Sequence, residues 1–177
     1  MYDPEEVKDM LALSEVPTEL VPNKNISPGQ DIPIIRNSTA RKLEWFKWGL
    51  VPGWAKDPGI GYKLINARAE TLAEKPSFRT ALVRRRCIIP ASGFYEWKEE
   101  GQQKQPFLFE MKNRQLITFA GLWEYWQDSD GKGLNSCTII TISPNSVVSK
   151  YHDRMPVILG ESSRWNWLED HPTHELL

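Results

Sequence analysis

The chain has 177 residues, a formal net charge of −1, 40% hydrophobic and 25% charged residues. That length suffices for one domain with its own core, and the charge balance excludes a polycation that coats nucleic acid by charge alone, though not a local basic groove. No apolar run approaches the ~20 residues of a membrane-spanning helix. The two cysteines, Cys87 and Cys137, are too few for a disulfide framework, so a reducing compartment is expected.

In chain order, Asp3-Pro4 with Glu6 predicts a capped helix whose apolar stripe is Val7, Met10 and Leu11. The prolines and glycine between Pro17 and Gly29 mark a long irregular stretch. Ile32 to Arg36 reads as a strand, with Pro33 suggesting an edge. Leu43 to Leu50 is a second, aromatic-rich strand ended by Pro52 and Gly53, and Leu64 to Ala67 reads as a buried approach to a loop. Ser77 is expected to cap a helix through Val83. Strands are expected over Cys87–Ile89 and Gly93–Lys98, with a turn through Glu99 to Gln103. Phe107 to Met111 and Leu116 to Gly121 follow at hairpin spacing. Cys137 to Ile142 is β-branched; Ser143-Pro144 should open a helix to about Lys150, Val157–Leu159 a last strand, and Ser162–Leu168 a closing helix. The pattern predicts a single α+β domain, mainly β, with a curved sheet or barrel-like core and short helices, free of repeats and linkers.

Tryptophan is unusual, with 8 in a small chain, several of them beside Gly, Pro or charged residues. Most should pack in the core; any exposed in loops would suit base stacking. Three segments carry chemistry-bearing groups. Ile65-Asn66-Ala67-Arg68-Ala69-Glu70-Thr71 gathers an amide, a guanidinium and a carboxylate; alone, it reads as a turn with a salt bridge. In Gly93-Phe94-Tyr95-Glu96-Trp97-Lys98, alternation puts Glu96 on the face of Phe94, where partial burial would favour its protonated form. Tyr151-His152-Asp153-Arg154-Met155-Pro156 contains a histidine, the side chain poised to move protons near neutral pH. No metal-ligand spacing surrounds His152, His171 or His174, and no glycine-rich phosphate loop is present. Neither a metal nor another cofactor is therefore expected.

These segments lie in a characteristic order with Asn25-Ile26-Ser27-Pro28-Gly29, Trp48-Gly49-Leu50-Val51-Pro52-Gly53-Trp54 and Arg86-Cys87-Ile88-Ile89-Pro90. From about Asn25 to Leu168 the chain closely resembles the SRAP (SOS response-associated peptidase) family. The resemblance implies a mainly β domain with a basic cleft for single-stranded DNA that acts at abasic sites; the acidic, amphipathic N-terminus is no secretory signal, so a cytoplasmic (nucleoid-associated) protein is expected. It implies a cross-link made by an N-terminal cysteine, whose amine and thiol condense with the ring-opened sugar into a thiazolidine. Asn66, Glu96 and His152 match the catalytic positions: Asn66 positions the N-terminus, Glu96 lies beside the reacting amine, and His152 moves a proton at the sugar. Arg68, Thr141, Trp54 and Trp97 match DNA-contacting positions, with core packing a rival for Trp97. Phosphate contacts would position the strand without reading its sequence.

Relatives begin Met-Cys-Gly-Arg and usually run on past the equivalent of the last residue, whereas this chain reads Met1-Tyr2-Asp3-Pro4. Truncation, a start assigned to the wrong methionine, or natural loss would each account for this, and the absence of both ends favours truncation. A missing N-terminal strand would leave an exposed sheet edge. The expected partner is single-stranded DNA with abasic sites, bound by a monomer. The alternative is a non-catalytic single-strand binding module; a peptidase acting on other proteins is disfavoured, since no serine or cysteine has a base at recognisable spacing.

Overall fold

The computed structural model describes residues 4–17, 23–38, 40–101, 103–113 and 115–169. Five strands make the frame: β1 (Asp31–Arg36), β2 (Glu44–Trp48), β4 (Arg86–Ala91), β7 (Ile117–Gln127) and β8 (Gly133–Ile142). They lie in the order β2-β1-β4-β7-β8, and β2 returns to pair in parallel with β8 at Lys47↔Ser136 and Trp48↔Cys137. The sheet thus closes into a barrel, and closure leaves no open edge in that ring. The remaining strand of this sheet edge, β3 (Asn66–Arg68), pairs with the C-terminal half of β8. On the opposite side of β8, the short β9 (Met155–Pro156) takes over where β7 ends.

The period-2 alternation of the strands sorts their side chains into two cores. Ile32, Ile34, Phe46, Cys87, Phe119, Cys137 and Ile139 come from all five barrel strands and fill the lumen. The intervening positions, Ile35, Ile88, Ala120, Leu122 and Ile140, face outward. Those are covered by α1 (Pro4–Met10), by α2 (Arg79–Arg84) and by the segment ending in the fully buried Trp167. The guanidinium of Arg86, 2% exposed, donates to the carbonyls of Leu82, Val83, Trp167 and Glu169. Trp167 returns a hydrogen bond from its Nε1 to the Cys87 carbonyl at 3.0 Å.

The mainly β, barrel-like expectation is met, while several local expectations are corrected. Pro33 is not on an edge strand, because β1 is paired on both sides; it faces Trp45 on one flank, and pairing with β4 begins only at Ile35. Leu64–Ala67 leads into a strand instead of a loop. Phe78, not Ser77, precedes α2, and no side chain caps it. Phe107–Met111 does not pair with Leu116–Gly121: β6 (Gln103–Glu110) pairs with β5 (Gly93–Glu100), and β7 pairs with β4. After β8 only a 3-10 turn forms, at Val148–Lys150, because the Asn145 side chain accepts from the amides of Val147 and Val148. The closing helix is likewise one 3-10 turn, Asn166–Leu168. Met10 is exposed, and Val7, Leu11 and Leu13 are the buried residues at that end. Asp3 and its capping role lie outside the described residues, as do His171 and His174.

The loop after β2 is pinned by a close approach of two backbones. A Cβ on Gly49, at φ +131°, would sit 2.7 Å from the Gly61 carbonyl oxygen; a Cβ on Gly61 would sit 2.7 Å from that of Gly49. The two backbones cross where only glycine fits. The loop between them carries Trp54 and ends in a 3-10 turn, Pro58–Lys63, capped by Asp57.

Candidate functional site

The β5–β6 hairpin is a separate two-stranded sheet. One face carries Phe94, Glu96 and their cross-strand partners Phe109 and Phe107. Phe94 stacks on Phe109 at 5.2 Å and meets Phe119 of the barrel edge-on at 5.9 Å. Tyr151 covers the rest, 4.5 Å from Phe107 and 5.4 Å from Phe109. Glu96 is therefore a carboxylate on an aromatic face, its side chain 17% exposed. Burial pushes its pKa up, and a charged His152 pulls it back.

His152 follows the Val148–Lys150 turn, and its Nδ1 lies 3.5 Å from a Glu96 carboxylate oxygen. The two residues are brought together from distant segments because Tyr151, the neighbour of His152, is packed into the hairpin. The backbone of Arg154 brackets the same nitrogen, with its N–H and its carbonyl oxygen both 3.1 Å away. The amide donates to a neutral Nδ1 and the carbonyl accepts from a protonated one, so the ring has a partner in either state. A half-buried carboxyl and a more exposed imidazole are thus held side by side.

Arg154 braces this loop against the barrel. Its guanidinium makes a two-point contact with Glu70 at 2.7 and 2.9 Å and donates to the Thr141 carbonyl at 2.6 Å. The Glu70 carboxyl is held down at about 2, chiefly by that hydrogen-bonded arginine. Thr141 is buried and is the register partner of Arg68. Asn66 and Arg68 flank the buried Ala67 on β3, so both project from one exposed face, about 7 Å apart. Among the described residues no hydrogen bond or ion pair links Asn66 to Glu96 or His152; the connection runs through β3, β8 and Arg154.

Six of the eight tryptophans are buried or half-buried, as expected of core residues. The exceptions are Trp54, 61% exposed, and Trp97, 50% exposed, so core packing does not account for Trp97. Trp97 lines a cleft of 710 Å³ with Glu96, Lys150, Tyr151, His152 and Asp153. Trp54 borders a separate hollow of 330 Å³ with Lys56 and Lys63. Both thiols are sealed in the lumen, and burial raises the pKa of each. Among the described residues no cluster of three or more His, Cys, Asp or Glu could hold a metal ion, and no helix is long and apolar enough to cross a membrane.

Sequence reasoning named Glu96 and His152 and missed the parts that hold them. Arg154 and Glu70 lay inside the quoted segments, but their pairing spans 84 positions and has no periodic signal. Tyr151 reads as an ordinary aromatic until the hairpin is seen to pack on it.

A small barrel with a docked hairpin thus presents an acid–base pair in a tryptophan-lined cleft. The chain belongs to the family described as SOS response associated peptidase (SRAP), whose model matches residues 1–177. It is 51% identical over 152 residues to the abasic site processing protein YoqW of Bacillus subtilis (strain 168), covering 85% of this chain and 68% of that one. It is 30% identical over 190 residues to the abasic site processing protein HMCES of Xenopus tropicalis, covering 88% of this chain and 57% of that one. Among solved structures, a protein from Bacteroides thetaiotaomicron superposes with a TM-score of 0.78 at 32% identity, over 84% of this chain and 66% of that one. One from Bordetella bronchiseptica superposes with a TM-score of 0.85 at 25% identity, over 99% and 88%.

Proposed function

We propose that the Glu96–His152 cleft receives an abasic deoxyribose in single-stranded DNA. The observation that carries this reading is the meeting of a half-buried carboxyl and an imidazole at 3.5 Å beside an exposed tryptophan, in a chain whose relatives are abasic site processing proteins. A base-less sugar leaves a gap in the stack that a cleft can enter, and its open form presents an aldehyde. Protonated Glu96 or His152 can deliver a proton to the sugar oxygen as the ring opens, and the conjugate base can remove one later. Arg68, on the exposed face of β3, fits a phosphate contact, with Asn66 beside it as a hydrogen-bonding amide. Trp54 and Trp97 offer faces for flanking bases. Thr141 acts from beneath, because its carbonyl is committed to Arg154.

The covalent form of this chemistry needs an amine and a thiol at the cleft. The amine attacks the aldehyde carbon and water leaves, giving an imine; the thiol then adds across the C=N bond, its proton passing to nitrogen, and a thiazolidine closes. Cys87 and Cys137 cannot supply that thiol, because both are fully buried. Those buried thiols favour a second reading for the chain as it stands: it binds the lesion without capturing it.

A denaturing gel separates the two. The chain and a version begun with Met-Cys-Gly-Arg are incubated with abasic single-stranded DNA. A shifted band is expected only for the second protein, and E96Q in that protein should slow its appearance. In parallel, both proteins should bind the abasic strand more tightly than the intact strand. Equal affinity for the two strands would remove the lesion from the reading, and a folded, methionine-processed second protein that never shifts would remove the covalent step.

A further inference from the structure

The cleft has a wall of lysines and carboxylates, one member of which the residues above leave unused. Three lysines line it, Lys98, Lys104 and Lys150. Lys98 is tied to Glu100 at 3.0 Å, and Lys104 to Glu99 at 3.2 Å. Asp153 lies 3.5 Å from the His152 ring. Lys150 is exposed and has no ion-pair partner among the described residues. Its backbone is nonetheless well fixed. Val148 is buried, the amides of Tyr151 and His152 donate to the Val148 carbonyl at 2.9 and 3.0 Å, and Tyr151 is packed against the hairpin. An uncompensated cation therefore stands two positions before His152, on a rigid turn, in the same cleft as Trp97.

The geometry points to Lys150 as a contact for a backbone phosphate of the DNA strand next to the sugar held at Glu96 and His152. The assignment rests on the reading of the cleft proposed above. A strand whose sugar occupies the cleft must leave it in two directions. On the Lys150 side it meets a mobile ammonium, which suits a phosphate as a point charge with no demand on the base. It also meets the exposed face of Trp97, which suits the neighbouring base. Among the described residues Glu99 pairs with Lys104 and Asp153 approaches the His152 ring, and neither forms an ion pair with Lys150.

The test is equilibrium binding of the full chain to single-stranded oligonucleotides with an internal tetrahydrofuran abasic analogue, over a salt series. The variants are K150A, K150R and, as a control for general charge loss, K132A in the β7–β8 turn at the far end of β8. Loss of one phosphate contact on a single strand lowers the slope of log K against log salt by about 0.7. K150A should show that reduction, so between 50 and 200 mM salt the unaltered chain loses roughly two- to threefold more affinity than K150A. K150R should restore the slope, and K132A should match the unaltered chain. Oligonucleotides that end at the lesion on the 5′ or the 3′ side sharpen the result: with one of them, and not the other, the K150A deficit should vanish. A K150A slope equal to that of K132A overturns the assignment while leaving the cleft reading standing. Failure of the unaltered chain to bind any of these strands overturns both.

Discussion

The barrel and the β5–β6 hairpin are built from similar residues but under different rules. In the barrel every strand has a neighbour on both sides, the lumen is filled by apolar side chains, and even a buried arginine has four carbonyls around it. The hairpin has one pairing, one aromatic face against Phe119 and Tyr151, and an outer face on which Tyr95, Trp97 and Leu108 are 41%, 50% and 48% exposed. The barrel is closed by strand pairing and apolar packing; the hairpin holds a carboxyl, Glu96, half-desolvated against an aromatic face. The reading proposed above puts the chemistry on the hairpin, the element with fewer pairings, while the barrel keeps the surrounding segments in place.

Removing a saturating group should do the most damage. Arg86→Met strands carbonyls from α2 and the C-terminal segment against β4, and a loss of about 3 kcal/mol or more is expected in urea unfolding. Phe94→Ala should cost less, about 2 kcal/mol for a half-buried ring, and differently. Hydrogen exchange should speed up in β5 and β6 while β4, β7 and β8 stay protected. Uniform acceleration would mean that the hairpin is part of the barrel's cooperative unit and that the contrast fails.

Glu96→Gln tests the desolvated carboxyl. Its folded pKa lies above the unfolded value, so its contribution to stability is fully present below the ordinary 4.5 and is lost as pH rises through the folded value. Stability of the unaltered protein should therefore decline over that window, and E96Q should flatten the decline and melt higher at pH 8. Parallel pH curves for the two would show that Glu96 is solvated. Glu70→Gln should have the smallest effect, at most about 1 kcal/mol, because the Glu70 side chain is 50% exposed and water screens its pair with Arg154. Here the sign is opposite: with the folded pKa depressed, the stabilisation is present above 4.5 and is lost as pH falls toward about 2. Any larger effect of E70Q should fall on DNA binding, through a loosened Arg154, and not on melting.

The sequence showed the barrel strands because their alternation is local, and it showed Glu96 on the face of Phe94 for the same reason. Pairing partners were a different matter. Leu116–Gly121 follows Phe107–Met111 at hairpin spacing, yet β7 pairs with β4 because Phe119, Ala120 and Leu122 complete the barrel's two cores. Turn chemistry also misled: Ser143-Pro144 has the residues of a helix start, but Asn145 supplies the hydrogen bonds and the helix shortens to one turn. The site residues were legible as separate segments. Their convergence was not, because it depends on Tyr151 meeting Phe107 and on Arg154 meeting Glu70, contacts with no sequence period.

The crossing of Gly49 and Gly61 bears on how this surface can diversify. Neither position admits a side chain, and because each is blocked by the other's main chain, no compensating change at the partner can relieve the clash. The crossing works as a clasp: it fixes where the loop leaves β2 and where it re-enters toward Leu64 and Asn66, whatever lies between. Between the glycines Trp126 ties down the Ala55 carbonyl at 2.6 Å, so the positions that can change with least effect on Asn66 and Arg68 are the exposed ones, Trp54 and Lys56. Substitution at Trp54 should therefore alter the rim while the floor at Asn66 and Arg68 stays in register.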